Sequence, residues 1–244
     1  MALIPDLISA AMLLTRLPVR GTPTPHTADA AWAWPLAGFA AGLPAGLLGL
    51  GGVALDLPPG VVAALTLAAL VMLTGAMHED GLADLADGFW GGFDRDRRLA
   101  IMRDSRIGAY GVIALILSLL LRWTLLVTAL EQGQILAATI VAAMVSRAPM
   151  AVLLRWLPPA RSDGLGRDAG RPPVAGVAIG LALAGSALLL QGPATLLIAV
   201  ALVGATTLGL GLVARAKIGG QTGDVLGACQ QLCEIAVLAA LTAR

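Results

Sequence analysis

Apolar runs recur seven times along the chain, at about residues 31–52, 60–77, 110–130, 134–154, 174–191, 194–213 and 225–242. A helix needs about 20 largely apolar residues to cross about 30 Å of hydrocarbon, so each run predicts one membrane span. Several contain glycine and proline, as in GFAAGLPAGLLGLGG at 38–52. Membrane helices tolerate these residues, and small side chains let neighbouring helices approach closely. A shorter apolar patch at 3–14 holds Asp6 and is followed by Arg16 and Arg20. It reads as an interfacial helix, too short to span and wrongly flanked for a secretory signal.

The polar segments between the runs alternate in charge. Segments 1–30, 78–109, 155–173 and 214–224 hold thirteen of the sixteen Lys and Arg residues, whereas the turns at 53–59, 131–133 and 192–193 hold none. Basic loops stay in the cytoplasm, which predicts seven spans with the N-terminus inside and the C-terminus outside. Arg122, Arg147 and Arg244 are left over, and Arg244 is the last residue. Arg122 lies well inside an apolar run and is expected to snorkel or pair; Arg147 either faces a polar site or reaches the interface.

Composition agrees. The 244 residues are 58% hydrophobic and 13% charged, with mean hydropathy +0.86, against about 25% charged in an average soluble protein. An all-α, polytopic membrane bundle in a single domain, 1–244, is therefore expected. The net charge of +1, with basic residues dispersed among acids, argues against nucleic-acid binding. Cys229 and Cys233 have no companion pair, so neither a disulfide framework nor a zinc finger is indicated.

Against this background one stretch stands out: HEDGLADLADGFWGGFDRDRRLAIMRDSRIG at 78–108 holds seven of the 15 acids. On a helix Asp80, Asp84 and Asp87 fall at i, i+4 and i+7 and share a face. Like charges so placed repel, and a divalent cation would offset that; Mg²⁺ takes hard oxygen ligands together with substrate phosphates. Glu79 points away from that face, and His78 is either a polar-site or an interfacial residue. Asp94 to Arg98 read as a solvated charged face. Arg103, Asp104 and Arg106, nearer the next span, have the forked donors that suit phosphate oxygens.

A third cluster, KIGGQTGDVLGACQQLCEI at 217–235, surrounds Asp224 with Gly219, Gly220 and Gly223 and continues to Gln230, Gln231 and Glu234. Its glycines would let backbone N–H groups approach an anion at a helix N-terminus. Glu234, deep in a span, is by default a functional candidate; the plainer alternative is a bond to Arg147 that fixes helix packing. All three clusters fall on the predicted cytoplasmic side, where loops 78–109, 155–173 and 214–224 would frame one site for transfer of a phosphoryl-containing group.

LLTRLPV at 13–19, GAMHEDGLADLADGFWGG at 75–92, IMRDSRIGAYG at 101–111, LPPARSDGLG at 157–166 and IGGQTGDVLGACQQLCEI at 218–235 together resemble the cobalamin synthase family, the adenosylcobinamide-GDP ribazoletransferases. The resemblance implies a multi-pass enzyme of the bacterial inner membrane, set in lipid, with its active site towards the cytoplasm. It implies that α-ribazole, or its 5'-phosphate, is joined to adenosylcobinamide-GDP with release of GMP and use of Mg²⁺. It also implies Asp80, Asp84, Asp87 and Asp224 as metal ligands and Asp84, Asp87, Asp104 and Arg106 as catalytic groups. His78, Arg103, Arg147, Gly220 and Gln231 are the expected substrate-binding residues, and assembly as a homo-oligomer is compatible with such a bundle. Two departures from the family pattern are Ala76, where a second glycine is common, and Leu85, where threonine is common. A lipid-directed phosphoalcohol transferase, a carrier and a structural scaffold remain as alternatives from the residues alone.

Overall fold

A computed structural model describes residues 2–243, and Arg244 lies outside them. The described chain is helical, with one isolated parallel bridge between Pro159 and Gln221. Its α-helices are α1 (Leu3–Leu14), α2 (Trp34–Ala54), α3 (Pro59–Thr74), α4 (Met77–Gly91), α5 (Arg95–Ile101) and α6 (Ala109–Glu131). They continue with α7 (Ile135–Val145), α8 (Ala148–Trp156), α9 (Leu165–Asp168), α10 (Val174–Leu189), α11 (Pro193–Ile218) and α12 (Gly223–Thr242). A 3₁₀ turn over Thr27–Ala33 leads into α2.

Among the described residues, five helical segments are long and apolar enough to cross a membrane: Thr27–Ala54, α6, α7 with α8, α11 and α12. The shorter α10 and α3, of 16 residues each, reach about 24 Å at 1.5 Å per residue and occupy the two remaining expected spans. The interfacial reading of 3–14 matches α1, which exposes Leu3, Ile4, Leu7 and Met12. Its buried Asp6 accepts a 2.8 Å hydrogen bond from Trp32 Nε1, so an acid anchors α1 to the turn before α2.

Burial separates centre from periphery. In α12, 78% of the apolar window is buried, against 17% in α11; α12 is the central post, and α11 turns most of its surface outward. Between α2 and α7 the packing is set by a stripe of glycines. A Cβ on Gly38 would stand 2.2 Å from the Ala143 carbonyl oxygen, and one on Gly42 3.0 Å from Ile140 Cα. Only hydrogen fits there, as small-residue packing in membranes requires.

Residues 78–91, the part of the polar segment whose acids are expected to share a helical face, lie in α4, which is bent by 87° from α3. The bend is made by consecutive left-handed residues, Gly75 at φ 66° and Ala76 at φ 56°. Glycine adopts that region freely, whereas an alanine there is strained by its Cβ. The reason α4 enters the bundle is local: Leu82, Leu85 and Phe89 are buried, and Gly81 lets α12 come in close. A Cβ on Gly81 would meet Asp224 Cα at 3.1 Å and Gly227 Cα at 3.3 Å.

Beyond α4 the charged segment is only partly a solvated face. Asp94 caps α5 by accepting from the Arg97 N–H at 2.9 Å. Arg95 Nε donates to the Ile218 carbonyl at 3.0 Å and Arg98 Nη1 to the Lys217 carbonyl at 3.1 Å. These guanidinium groups satisfy the free carbonyls that end α11. The bridge at Gln221, with the Ala160 N–H donating to its carbonyl at 2.8 Å, then brings segments 78–109, 155–173 and 214–224 to one end of the bundle.

Candidate functional site

Two kinds of polar environment lie side by side on α4 and α12. The deeper one is closed. Arg122, 13 residues into α6 and so about 20 Å from its start, is 2% exposed. It pairs with Glu79 Oε1 of α4 at 2.8 Å and with Glu234 Oε1 of α12 at 2.7 Å. Arg122 Nη1 also donates to Gln231 Oε1 at 2.9 Å, and Ser118 Oγ donates to the same oxygen at 3.2 Å. Gln231 Nε2 reaches Glu79 Oε1 and Gln230 Oε1, and Gln230 Nε2 reaches Ser146 Oγ at 3.0 Å. Arg147, at the junction of α7 and α8, donates to the Ala143 carbonyl of α7 at 2.6 Å. Charges this deep persist only when paired, and this network ties α4, α6 and α12 together.

Towards the polar end, the same helices carry acids that lie outside this network. Asp80 is exposed and Asp84 half-buried. Asp84 lies in the fields of Asp224, Asp80 and Asp87, with Arg161 opposing them. Asp224, at the start of α12, accepts a hydrogen bond from Thr222 Oγ1 at 3.2 Å and lies 3.5 Å from Arg161 Nη2. Thr222 in turn caps the helix, its hydroxyl accepting from the Val225 N–H.

Two cavities meet at Asp224. One, about 140 Å³, is walled by Leu14, Met77, Met150 and Leu154 and carries Thr27, Trp34, His78, Asp80 and Asp224 as its polar groups. Trp34 Nε1 and His78 Nε2 are buried and have no hydrogen-bond partner. The other, about 110 Å³, is polar and is lined by Arg161, Asp163, Arg167, Gln221 and Asp224. The Arg161 Nε and Gln221 Oε1 atoms there are likewise buried without partners. A wider cleft of about 420 Å³ adjoins Arg161 and includes Arg95 and Arg103. Arg103 is ion-paired with Asp163.

The structure thus brings together Asp80, Asp84, Asp224, His78 and, at the margin, Arg103. It does not bring the other expected residues there. Both Asp87 oxygens are engaged, accepting from the Gly108 N–H at 2.7 Å and the Gly111 N–H at 2.9 Å; this carboxylate caps the N-terminus of α6, where a negative charge is favoured. Asp104 and Arg106 grip each other at 2.7 Å in an exposed turn and line none of these three cavities. Arg106 holds the Asp104 carboxyl down at about 2 through side-chain and backbone hydrogen bonds. Gln231 and Arg147 belong to the deep layer. Gly220 meets backbone instead of an anion, since a Cβ there would be 2.0 Å from the Pro158 carbonyl oxygen.

Trp34, Arg161, Arg167 and Gln221 were not among the expected site residues. Trp34 reads as one more apolar residue of a span. Arg161 and Arg167 read as ordinary loop charges, and no spacing rule links them to Asp224.

Among the described residues, no group of three or more His, Cys, Asp or Glu side chains forms a ready-made metal cage. Asp80, Asp84 and Asp224 nevertheless direct like charges into one neighbourhood beside cavities large enough for water. Mg²⁺ keeps several waters and is held by one or two carboxylates plus substrate phosphates. The donor set fits such a loosely held ion and does not fit a closed site.

Comparison with known proteins places this geometry in context. The cobalamin-5-phosphate synthase family matches residues 6–242. A protein of Azorhizobium caulinodans named adenosylcobinamide-GDP ribazoletransferase is 52% identical over 221 residues, 85% of this chain and 81% of its own length. Proteins of the same name from Bradyrhizobium diazoefficiens and Mesorhizobium japonicum are 45% and 43% identical, each over 96% of this chain and 92% and 91% of their own. No solved structure matches the chain.

Proposed function

The chain belongs to the cobalamin-5-phosphate synthase family, and from that premise we propose that it joins α-ribazole, or its 5'-phosphate, to adenosylcobinamide-GDP and releases GMP. The observation that carries the proposal is the meeting of two unlike cavities at Asp224. One is mostly apolar and suits a nucleoside base; the other is lined by arginines and suits a diphosphate.

In this reading Arg161 and Arg167 hold diphosphate oxygens, assisted by the N-terminus of α12, whose free N–H groups favour anions. Arg103 extends the same cationic wall into the wider cleft. A free ribose hydroxyl of the acceptor, not the 5'-oxygen that the 5'-phosphate already esterifies, lies beside Asp80, whose carboxylate accepts its hydrogen bond and takes its proton. A bond forms from that hydroxyl oxygen to the phosphorus on the cobinamide side, the bond from that phosphorus to the bridging oxygen breaks, and GMP leaves with the electron pair. Asp84 and Asp224 would hold Mg²⁺, which when bound neutralises charge on the diphosphate and on the departing GMP. Glu79, held by Arg122 and Gln231 within the closed layer, and Asp87, with both oxygens engaged, position α4 and α6 and do not take the proton. The site end, rich in Lys and Arg, faces the cytoplasm of a bacterial inner membrane.

Purified chain in lipid vesicles is expected to release GMP from adenosylcobinamide-GDP only when ribazole or its phosphate and Mg²⁺ are both supplied. Release that is independent of the acceptor, or no release with all components present, rejects the assignment.

A further inference from the structure

Two buried nitrogens point to a more specific use of the 140 Å³ cavity. Trp34 opens α2 and is 1% exposed, as is His78 on the first turn of α4. Both line the cavity, and neither Trp34 Nε1 nor His78 Nε2 has a partner. Buried tryptophan N–H groups usually find an acceptor, and the remaining wall is mainly apolar: Leu13, Leu14, Met77, Met150 and Leu154. The missing partner must therefore come with an otherwise hydrophobic body.

We propose that this cavity is the seat of the acceptor's benzimidazole base, with the Trp34 indole N–H donating to the base's free ring nitrogen and His78 Nε2 meeting a ribose hydroxyl. The proposal rests on the transferase reading above and adds to it which substrate group lies where.

Three chemical arguments select this occupant. Size excludes the corrin ring: pockets for drug-sized ligands run to about 300–1,000 Å³, whereas this one is about 140 Å³. Polarity disfavours guanine, whose carbonyl, amino group, ring N–H and ring nitrogens would set several polar edges against a wall made mostly of Leu, Met, Ala and Gly. A benzimidazole presents one acceptor nitrogen and an apolar far edge. Tryptophan can only donate, so it must face that acceptor. Connectivity then places the ribose near Asp80 and Asp224, where this cavity joins the arginine-lined one, so that a free ribose hydroxyl emerges at the diphosphate.

The test uses the full chain in lipid vesicles, with ribazole binding measured by equilibrium dialysis and GMP release measured in parallel. Trp34→Phe, which keeps a ring but removes the donor, is expected to weaken ribazole binding about tenfold, the size of one buried neutral hydrogen bond. Met150→Phe, which fills the cavity, is expected to weaken it further. Both raise KM for ribazole and leave KM for adenosylcobinamide-GDP within about twofold. Guanosine does not compete. The assignment is overturned if ribazole binds both variants as tightly as the native chain, if guanosine displaces ribazole, or if the KM change falls on adenosylcobinamide-GDP instead. Ribazole binding that depends on Trp34 in a chain that releases no GMP would sustain the pocket and sink the transferase reading, so the two fail separately.

Discussion

Glu79 and Asp80 are neighbours on α4, yet they live in opposite regimes. Glu79 is 7% exposed and locked to Arg122 and Gln231, while Asp80 faces a cavity. The same division recurs along α12, where Asp224 lies at a cleft and Gln231 and Glu234 lie within the closed network. One 100° step of a helix, or two turns along it, separates a polar group that builds the bundle from one left free to bind. The lesson is that an ionisable residue in a membrane helix is not by itself a site. What distinguishes the two layers is enclosure: the deep groups are shut in among one another, whereas Asp80 and Asp224 border cavities.

The strongest way to break this comparison is to unbalance the deep layer. Arg122→Leu leaves Glu79 and Glu234 buried without a cation and is expected to cost about 3–5 kcal/mol, read as loss of folded protein in detergent. The triple change Arg122→Met, Glu79→Gln and Glu234→Gln removes the three charges of this ion triad together. It should recover most of that loss, as replacing a whole buried ion triad often does. If the single and triple variants are equally unstable, the network is not what holds α4 in place.

Asp84→Asn probes the other layer. It is expected to lower GMP release at least about 100-fold, more than about 2.7 kcal/mol in transition-state terms, while folded yield stays near that of the native chain. Loss of activity accompanied by equal loss of yield would move Asp84 into the structural class. Chelation of Mg²⁺ should abolish turnover of the native chain without changing its thermal midpoint by more than a few degrees, because the deep network needs no ion. An unfolding transition triggered by chelation would erase the distinction between the layers.

A smaller effect is expected at the bend that aims α4. Ala76 sits at φ 56°, and Ala76→Gly should stabilise the protein by about 1 kcal/mol by removing a left-handed alanine, measured as a raised thermal midpoint. Smallest of all is Arg106→Ala, which breaks an exposed pair with Asp104. Such pairs contribute about 0–1 kcal/mol, so the midpoint should hardly move.

The departure at Ala76 shows how sequence and structure inform each other. As a resemblance it was only a missing glycine; in the fold it is the second of two left-handed residues that turn α3 into α4. The same holds for Asp80, Asp84 and Asp87. Their helical periodicity was legible, but not that Asp87 would turn both oxygens to the N–H groups of Gly108 and Gly111. Nor was it legible that Arg122, read as a residue that would snorkel or pair, would join Glu79 and Glu234 across 43 and 112 positions of chain.

By itself, then, the sequence determined the number and order of apolar helices, the end of the bundle where the basic loops gather, and the motifs that mark the family. These are properties of local composition and period, and the hydrocarbon environment leaves few alternatives to the helix. Only the tertiary structure decided which carboxylates are paired and which are free, and that Trp34, Arg161 and Arg167 join Asp80 and Asp224 around two adjoining cavities. Those outcomes depend on helix rotation, on close approach at Gly81 and Gly227, and on contacts between residues far apart in the chain. No periodicity encodes them, because a hydrogen-bond donor's partner is chosen by three-dimensional proximity.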